Sequence, residues 1–275
     1  MSDIEWKNEY KKILMDNSVN EQIVTDMVSE HMPRSMYRYM RFDKYWQKNI
    51  YDGQIFLSPA SELNDPYDCL YSINTGKYID YRKKIEEISN EEIIFKSIKD
   101  IANSRIMRRL ARYIVYFKKH TRIACFSEDV YSILMWSHYA NKHKGFCIEY
   151  DFHFINELKD LISPVVYSND RYDLSKALAY RESNKMLYNS FFFKFSEWSY
   201  EKEWRIAIPE AMFDNGEFYF NGLEGIKGIY FGYSSVLEYS KEIAEIINWA
   251  KDKGIRVYIM LLSERDYTMF PLRLV

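Results

Sequence analysis

The sequence predicts a single α+β domain with a helical segment at its N-terminus. A chain of 275 residues and 33.3 kDa fits one large domain, or one domain with an appended segment. Apolar residues make up 47% and charged residues 28%, which is typical of globular chains and excludes general disorder. Strand-like segments dominate after the middle helices, and they follow one another too irregularly for a doubly wound βαβ fold.

The helical periodicity of apolar residues predicts two amphipathic helices within residues 3–31, and Pro33 ends the second. We therefore divide the chain into a helical segment, residues 1–33, and an α+β domain, residues 34–275. Residues 78–119 are predicted as a helical insertion in this domain. The shorter elements before the insertion are predicted at 36–39 (strand), 43–51 (helix) and 54–58 (strand).

The second half of the chain is predicted to alternate strands with helices. Runs of apolar and β-branched residues predict strands at 122–127, 145–151, 165–168, 203–208, 217–220, 227–232 and 256–261. Helical spacing predicts helices at 131–139, 152–162, 171–190 and 236–252.

The charge balance excludes a chain coated with positive charge. There are 38 Lys and Arg residues against 40 Asp and Glu, a net charge of −2, so any nucleic-acid contact must come from a local patch. Aromatic residues reach 17%, with 25 tyrosines, which predicts a wide core and tyrosine-lined surfaces. There is no Gly-rich phosphate loop and no Gly-x-Ser-x-Gly elbow, so kinase, Rossmann dehydrogenase and α/β-hydrolase are disfavoured.

Histidines, cysteines and apolar runs bear on metal sites, redox compartment and membranes. The five histidines form no cluster with ligand spacing, so no metal is expected. The three cysteines are expected to be buried, reduced thiols of a cytoplasmic protein. The N-terminus lacks the apolar core of a signal peptide, and the apolar runs are too short to cross a bilayer, so no membrane partner is expected.

The first block of candidate residues is Asn64, Asp65 and Asp68, placed around Pro66 and Tyr67. This order is typical of a turn, because Asn and Asp side chains bond their own backbone and Pro fixes the backbone. Carboxylates that flank an aromatic ring on a loop are also typical of polar recognition. A structural turn and a binding loop therefore both remain open.

The second block is Trp136, His138 and Tyr139 in a predicted helix. His138 is either a core histidine bonded to a backbone carbonyl, which is the commoner case, or a catalytic group. A nucleophilic pair of His138 with Cys125 is disfavoured, because Cys125 lies in an apolar strand where nothing depresses the pKa of its thiol.

The third block is Glu201, Glu203 and Arg205, which strand alternation places on one face. A carboxylate–arginine ladder to neighbouring strands is one explanation. A site is the other: one glutamate would bond a sugar hydroxyl or take a proton, and Arg205 would orient a carboxylate or phosphate through its planar fork. Together with Asp65 and Asp68, the two glutamates are also the ligands of a possible Mg²⁺-dependent nuclease.

A run of basic residues forms the fourth block, with no acidic residue between Asp100 and Glu128. A solvated charged face is the commoner outcome for such a run. A helix that presents cations and interleaved tyrosines is also what single-stranded nucleic acid binds. The candidate nucleic-acid contacts are Arg105, Arg108, Arg109, Arg112, Lys118 and Lys119.

Taken in order, short blocks of the sequence resemble a widespread bacterial family filed as a domain of unknown function. The resemblance covers roughly residues 36–262, and the combination of blocks is specific although each block alone is weak. The blocks are Tyr-Arg-Tyr at 37–39, Leu-Ser-Pro at 57–59, Asn-Asp-Pro-Tyr-Asp at 64–68, Cys-Phe-Ser-Glu at 125–128, Trp-Ser-His-Tyr-Ala at 136–140, Gly-Phe-Cys-Ile-Glu at 145–149, Trp-Ser-Tyr-Glu-Lys-Glu-Trp-Arg at 198–205 and Ile-Tyr-Phe-Gly at 229–232.

A more distant resemblance is to the ADP-ribosyltransferase superfamily, and it is carried by Arg38, Ser58 and Glu203, with Glu201 two residues before Glu203. It implies a split mixed β-sheet core with helical insertions, and NAD as the co-substrate. Arg38 would hold the NAD ribose or phosphate, and Ser58 would brace the nicotinamide ribose. Glu203 would bond the ribose 2′-hydroxyl, and Glu201 would orient or deprotonate the acceptor.

The same resemblance implies that the other candidate residues are walls of the NAD site, where Trp136 or Tyr139 would stack on nicotinamide. Besides the catalytic Glu203, Glu201 and Arg38, the expected NAD contacts are Tyr37, Ser58, Asn64, Asp65, Asp68, Trp136, His138, Tyr139 and Arg205. The departures from the superfamily pattern are Met40 and Arg41, which replace the usual threonine after the first basic residue.

The function implied by these resemblances is NAD-dependent ADP-ribosyl transfer to RNA or DNA by a bacterial toxin or phage-defence effector. Preorganised negative charge beside a developing cation would promote the departure of nicotinamide. A cognate antitoxin is the expected protein partner. Two alternatives stay open: a non-enzymatic module that binds a nucleotide or a partner, and the metal-dependent nuclease.

Overall fold

The structure is a computed structural model that describes residues 3–15, 21–89, 112, 115–180, 188–214 and 216–275. Over these residues helices and strands surround one mixed sheet, so the predicted α+β class is confirmed. The described helices are α1 (Asp3–Met15), α2 (Glu21–His31), α3 (Trp46–Tyr51), α4 (Thr75–Ser89), α5 (Ile133–Tyr139), α6 (Ser175–Tyr180) and α7 (Val236–Lys253).

Short strands make up most of the second half of the chain. The described strands are β1 (Met36–Met40), β2 (Gln54–Phe56), β3 (Ser58–Pro59), β4 (Tyr71–Ser72), β5 (Thr121–Ser127), β6 (Phe146–Tyr150), β7 (Ile162–Pro164), β8 (Val166–Ser168), β9 (Tyr172–Asp173), β10 (Phe193–Phe195), β11 (Glu203–Pro209), β12 (Tyr219–Asn221), β13 (Ile226–Phe231), β14 (Arg256–Leu262) and β15 (Met269–Arg273). Among the described residues, 9 strands form the main sheet, in the order β15-β14-β13-β6-β1-β5-β11-β7, with β3 beside β5.

The main sheet is mixed because one of its pairs is parallel. Strands β13 and β14 run parallel, whereas β6, β5 and β11 run antiparallel to the strands beside them. A parallel pair needs a crossover, and α7 supplies it between β13 and β14. Helix α7 ends at Gly254, whose φ of 69° suits a glycine after a helix.

The sheet divides between β1 and β5, and this division positions the site. Strand β1 pairs with β6 along its whole length, but within the fully described β1 and β5 the pairing is confined to Tyr37 and Ser127. Beyond that pair β5 takes β3 as its neighbour, with Ser58 opposite Ile123. The register then continues from Ser127 to Glu203 on β11. Strands β1, β3, β5 and β11 therefore border one opening in the sheet.

The core is largely aromatic and aliphatic, and α1 belongs to it. Trp6 and Tyr10 of α1 are buried in the same cluster as the sheet residues, and the Trp6 and Trp204 rings lie 6.3 Å apart. Lys7 of α1 also forms an ion pair with Glu128 at 3.0 Å. The helical N-terminal segment therefore packs on the α+β core. The boundary between residues 1–33 and 34–275 stays a prediction.

The predicted elements differ from the structure mainly at residues 152–162. Only Phe152–Phe154 is helical there, as a 3₁₀ turn, because the Asp151 carboxylate accepts a hydrogen bond from the backbone N–H of His153. The chain then turns into β7, which pairs with β11, and buries Ile155 and Leu158 in the core. The spacing of Ile155 and Leu158, which predicted a helix, therefore belongs to a turn that leads into β7.

Further differences concern single elements. Strands β4, β10 and β15 have no counterpart in the prediction. The predicted helix at 171–190 begins instead with β9 and α6, and residues 181–187 lie outside the described residues. Helix α4 agrees with the start of the predicted helical insertion at 78–119, whose residues 90–111 also lie outside the described part of the chain.

Candidate functional site

A cavity of about 350 Å³ lies at the opening between β1, β3, β5 and β11; we call it the central cavity. Residues from distant parts of the chain line it. Those that the sequence had singled out are Tyr37, Arg38, Ser58, Asn64, Tyr139, Glu201 and Glu203. The structure adds Tyr39, Arg41, Glu62, Leu63, Ile123, Cys125, Phe126, Met135 and Lys194. Its size falls within the usual range for small-molecule sites.

Behind the cavity lies a set of buried, mutually paired charges, which we call the ion cluster. Its members are Asp68, Lys194, Glu201, Glu203 and Arg205. All five are buried. Three carboxylates therefore face two cations, and the cluster carries one negative charge in excess when every member is ionised.

Arg205 holds Glu203 and Asp68 in fixed positions. It donates to Glu203 through Nε to Oε1 at 2.7 Å and through Nη2 to Oε2 at 2.9 Å. It donates to Asp68 through Nη1 to Oδ1 at 2.8 Å and through Nη2 to Oδ2 at 2.6 Å. Burial by itself raises a carboxyl pKa, but the Arg205 charge outweighs it and holds the pKa values of Glu203 and Asp68 below their ordinary ranges.

Lys194 links Glu203 to Glu201. Its Nζ donates to Glu203 Oε2 at 3.1 Å and to Glu201 Oε2, and it lies 3.5 Å from Asp68 Oδ2. Burial alone would lower the pKa of Lys194, but the surrounding carboxylates, Glu203 first, raise it well above its ordinary value. Lys194 therefore stays protonated across the physiological pH range.

Glu201 differs from the other carboxylates of the cluster because its pKa is raised. Burial and the neighbouring Glu203 charge outweigh the attraction of Lys194. Its other oxygen, Oε1, accepts a hydrogen bond from the Tyr139 hydroxyl at 2.5 Å, and that hydroxyl accepts one from Asn64 Nδ2 at 2.9 Å. The chain Asn64–Tyr139–Glu201 runs along the cavity wall, so Glu201 is the carboxylate placed to exchange a proton there.

The position of Glu201 follows from the backbone before β11. Residues Ser196–Glu201 form a 3₁₀ helix, which Lys202 ends in the left-handed region at φ 43°. The backbone carbonyl of Glu201 accepts a hydrogen bond from Ser127 Oγ at 2.6 Å. Glu201 therefore does not lie on a strand in line with Glu203 and Arg205, as alternation predicted, although Glu203 and Arg205 do share a face of β11.

Arg38 brings positive charge to the cavity. Its Nη2 donates to the backbone carbonyl of Phe56 at 2.5 Å, and the guanidinium lies over the Phe126 ring at 5.6 Å. Its Nη1 is buried and has no hydrogen-bond partner among the described residues. A buried donor left unpaired costs free energy, so Nη1 is suited to a ligand oxygen. Arg41, which is exposed, also borders the cavity.

Several predicted contacts lie outside the central cavity. Trp136 is fully buried and donates from Nε1 to the Val130 carbonyl at 2.7 Å, so it is a core residue and cannot stack on a ligand. Arg205 is 0% exposed and its donors are taken up by protein acceptors, so it cannot orient a ligand phosphate. His138 is exposed and pairs with the Tyr200 hydroxyl at 3.2 Å.

The first block of candidate residues divides into three parts. Asn64 reaches the central cavity, Asp68 belongs to the ion cluster, and Asp65 forms a turn by accepting the backbone N–H of Tyr67 at 2.8 Å. Asp65 also borders a second cavity. Because Asp68 is held by Arg205, it is not available to a ligand, and Asp65 does not contact the central cavity.

The structure describes only part of the basic run. Arg105, Arg108 and Arg109 lie outside the described residues. Arg112 and Lys119 are exposed, whereas Lys118 donates to the backbone carbonyl of Asp68 at 2.7 Å. Lys118 therefore supports the loop behind the ion cluster, which corrects its assignment to an outward cationic face.

Lys194 was missed by the sequence reading. The signal was a lone lysine in an otherwise apolar run, Phe191–Phe195 with Lys194 as its fourth residue. Lysine in a buried strand needs a carboxylate partner, so this pattern points to an ion pair. The partners lie 7 and 9 residues further on, across a 3₁₀ helix that alternation did not predict.

The described part of the chain offers neither a metal site nor a membrane-spanning helix. No group of three or more His, Cys, Asp or Glu side chains there is arranged to hold a metal ion. The nuclease alternative requires Asp68, Glu201 and Glu203 as metal ligands. In the structure these carboxylates form ion pairs with Lys194 and Arg205. None of the described helices combines the length and apolar character that crossing a bilayer requires.

No curated protein and no solved structure matches the chain. Residues 135–206 match the model of a protein family, and this segment contains Tyr139 and all members of the ion cluster except Asp68. The family is described as a protein of unknown function (DUF2971). Over this segment the chain is therefore similar to a domain-of-unknown-function family, as its sequence blocks predicted.

Proposed function

We propose that the central cavity binds NAD and that the protein transfers its ADP-ribose moiety to a nucleic-acid acceptor. The observation that carries this proposal is the meeting of Arg38, Ser58 and the Glu201–Glu203 pair in one cavity of about 350 Å³. Arg38 lies on β1, Ser58 on β3 and the glutamate pair at the junction with β11, and they stand in the order that the resemblance to ADP-ribosyltransferases requires.

Charge complementarity supports NAD as the ligand. Arg38 and Arg41 come from β1 and the residues just after it, whereas Glu203 begins β11 and Glu201 ends the 3₁₀ helix just before it. NAD joins an anionic diphosphate to a cationic nicotinamide ring, so Arg38 and Arg41 would attract the diphosphate while Glu201 and Glu203 would attract the nicotinamide end. The unpartnered Arg38 Nη1 fits a phosphate or ribose oxygen.

The structure favours a division of roles between the two glutamates. Glu203 has both oxygens engaged by Arg205 and Lys194, so it supplies a fixed negative charge that steadies the positive charge developing on the ribose as nicotinamide leaves. Glu201, with its raised pKa and its Tyr139 partner, contacts the reacting groups. It accepts the proton of the acceptor nucleophile as the new bond to the ribose carbon forms.

Turnover with labelled NAD tests the proposal. The protein is incubated with NAD labelled in the adenylate portion and with RNA, DNA or lysate, and both released nicotinamide and transferred label are measured. We expect both products from the wild type. Glu201→Gln should reduce nicotinamide release by roughly 10²–10⁴-fold, the usual contribution of a general base.

Glu197 provides the matched control. It is an exposed glutamate in the same 3₁₀ helix as Glu201, and it does not border the central cavity. Glu197→Gln should leave turnover unchanged. No nicotinamide release and no label transfer by the wild type under any condition would contradict the proposal. Saturable NAD binding without turnover would instead support the non-enzymatic binding module. The cognate antitoxin stays a prediction.

A further inference from the structure

A second cavity, of about 400 Å³, lies beside the ion cluster; we call it the aromatic cleft. Its walls include the rings of Tyr67, Phe195 and Trp198 and the charged side chains of Asp170 and Arg171. Lys194 borders both this cleft and the central cavity. The two cavities therefore share a wall, and the loop at residues 63–70 also contributes to both, with Asn64 in the central cavity and Tyr67 in the aromatic cleft.

The aromatic cleft exposes rings that a protein usually buries. Tyr67 is 63% exposed and Phe195 is 46% exposed. Trp198 is half-buried in the 3₁₀ helix that leads to Glu201. Exposed rings gathered in one concave site, with polar groups among them, are typical of a ligand site rather than of scattered surface residues.

The cations in the cleft indicate which ligand it fits. The Arg171 guanidinium lies over the Tyr67 ring at 5.2 Å, and Lys194 Nζ lies 5.0 Å from the centre of the Trp198 ring. A cationic ligand, such as a lysine or arginine side chain, would be repelled by the two cations already placed at these rings. A neutral planar ring attached to a phosphate meets no such repulsion, and Arg171 is exposed to pair with the phosphate.

We propose that the aromatic cleft binds an unpaired base of a single-stranded nucleic acid. Tyr67, Phe195 and Trp198 provide stacking surfaces, Arg171 pairs with the phosphate, and the Asp170 carboxylate accepts hydrogen bonds from base N–H groups. Unpaired bases stack on aromatic side chains in this way because every base has a π-face. Since Lys194 borders both cavities, the bound strand lies next to the central cavity. The assignment of this strand as ADP-ribose acceptor rests on the proposed function.

Binding is tested without NAD, so the result does not depend on turnover. The probes are a fluorescein-labelled 12-nucleotide single strand and an abasic strand of equal length and charge, and fluorescence anisotropy gives the dissociation constants. The wild type should bind the strand with bases tighter by about tenfold or more, because stacking of even one base has this effect. Tyr67→Ala and Phe195→Ala should each reduce this preference severalfold.

Two exposed rings elsewhere provide matched controls. Tyr267 is 98% exposed and Phe270 is 47% exposed, and neither borders the cleft. Tyr267→Ala and Phe270→Ala should keep the full preference for the strand with bases. Circular dichroism melts check that all four variants fold. Equal affinity of the wild type for both strands, or equal effects of cleft and control variants, would overturn the proposal.

A turnover experiment separates this proposal from the proposed function. If the strand binds through its bases but no nicotinamide is released from NAD, the cleft assignment stands and the proposed function fails. If nicotinamide is released and label passes to protein in lysate, while the strand shows no base-dependent binding, the cleft assignment is wrong and NAD cleavage stands. Base-dependent binding lost in Tyr67→Ala supports the cleft in either case.

Discussion

Arg205 donates two hydrogen bonds to the Glu203 carboxylate, from Nε to Oε1 at 2.7 Å and from Nη2 to Oε2 at 2.9 Å. Lys194 adds a third donor to the same carboxylate at 3.1 Å. Glu203 therefore lies at the wall of the central cavity with its charge held in place by protein groups, and Glu201 is left as the carboxylate with a raised pKa.

Removing the arginine should destabilise the fold strongly. Arg205→Met leaves Glu203 and Asp68 buried with only Lys194 as a counter-ion, and breaking a buried ion pair on one side costs about 3–5 kcal/mol. Urea unfolding should show this loss in the free energy of unfolding. Arg265→Met, the same change at an exposed position near the C-terminus, should stay within about 0.5 kcal/mol. Similar stabilities for the two variants would contradict the role of the ion cluster.

The ion cluster should make stability depend on acid pH. Glu203 has a folded-state pKa below its ordinary value of 4.5, so its contribution is present above pH 4.5 and is lost as the pH falls toward the folded value. Asp68 acts in the same direction. Glu201 acts oppositely, since its pKa is raised, and it offsets part of the loss.

Urea unfolding at a series of pH values measures this dependence. The wild type should lose stability as the pH falls below 4.5, and Glu203→Gln should show a shallower decline, because it no longer takes up that proton. A decline as steep in Glu203→Gln as in the wild type would show that other carboxylates control acid stability.

Tyr139 should tune the proton affinity of Glu201. Its hydroxyl donates to Glu201 Oε1 at 2.5 Å, and a hydrogen bond to the charged carboxylate lowers the carboxyl pKa. Tyr139→Phe should therefore raise the pKa of Glu201 further and move the acidic limb of the kcat–pH profile for NAD cleavage to higher pH. Tyr233→Phe, at an exposed tyrosine away from the cavity, should leave the profile unchanged. Coincident profiles for Tyr139→Phe and the wild type would exclude this coupling.

Arg38 should govern the affinity for NAD. Arg38→Met removes the unpaired Nη1 donor of the cavity and should raise KM for NAD on the order of tenfold or more, since hydrogen bonds between charged groups are strong. Arg38→Lys should not restore it, because an ammonium lacks the planar fork. Arg34→Met, at an exposed arginine before β1, serves as the control and should keep the wild-type KM. An unchanged KM in Arg38→Met would place NAD elsewhere.

Local sequence patterns predicted most strands because buried strands show as short runs of apolar and β-branched residues. Strands β5, β6, β13 and β14 lie close to their predicted ranges. At residues 152–162 the same kind of evidence failed, since Ile155 and Leu158 have helical spacing in a segment that the Asp151 turn and the pairing of β7 shape instead. The pairing of β7 with β11, and not the local spacing, therefore determines the structure of residues 152–162.

The candidate site shows the same limit. Arg38 and Ser58 could be chosen by sequence order, but the burial of Arg205 depends on Asp68, 137 residues away, and no local pattern shows that contact. Trp136 looked suited to stacking, yet its indole N–H is satisfied by the Val130 carbonyl inside the core. Lys194 borders both cavities because β10, paired with β8, brings its side chain within 3.1 Å of Glu203 at the start of β11.

Calorimetric titration of NAD into Glu201→Gln tests the central claim most directly, because this variant should bind NAD while turnover is suppressed. We predict saturable binding of one NAD per chain, weakened in Glu201→Gln combined with Arg38→Met and unchanged in Glu201→Gln combined with Arg34→Met. Absence of binding heat over a range of temperatures, or binding that Arg38→Met leaves unchanged, would contradict the assignment of the central cavity to NAD.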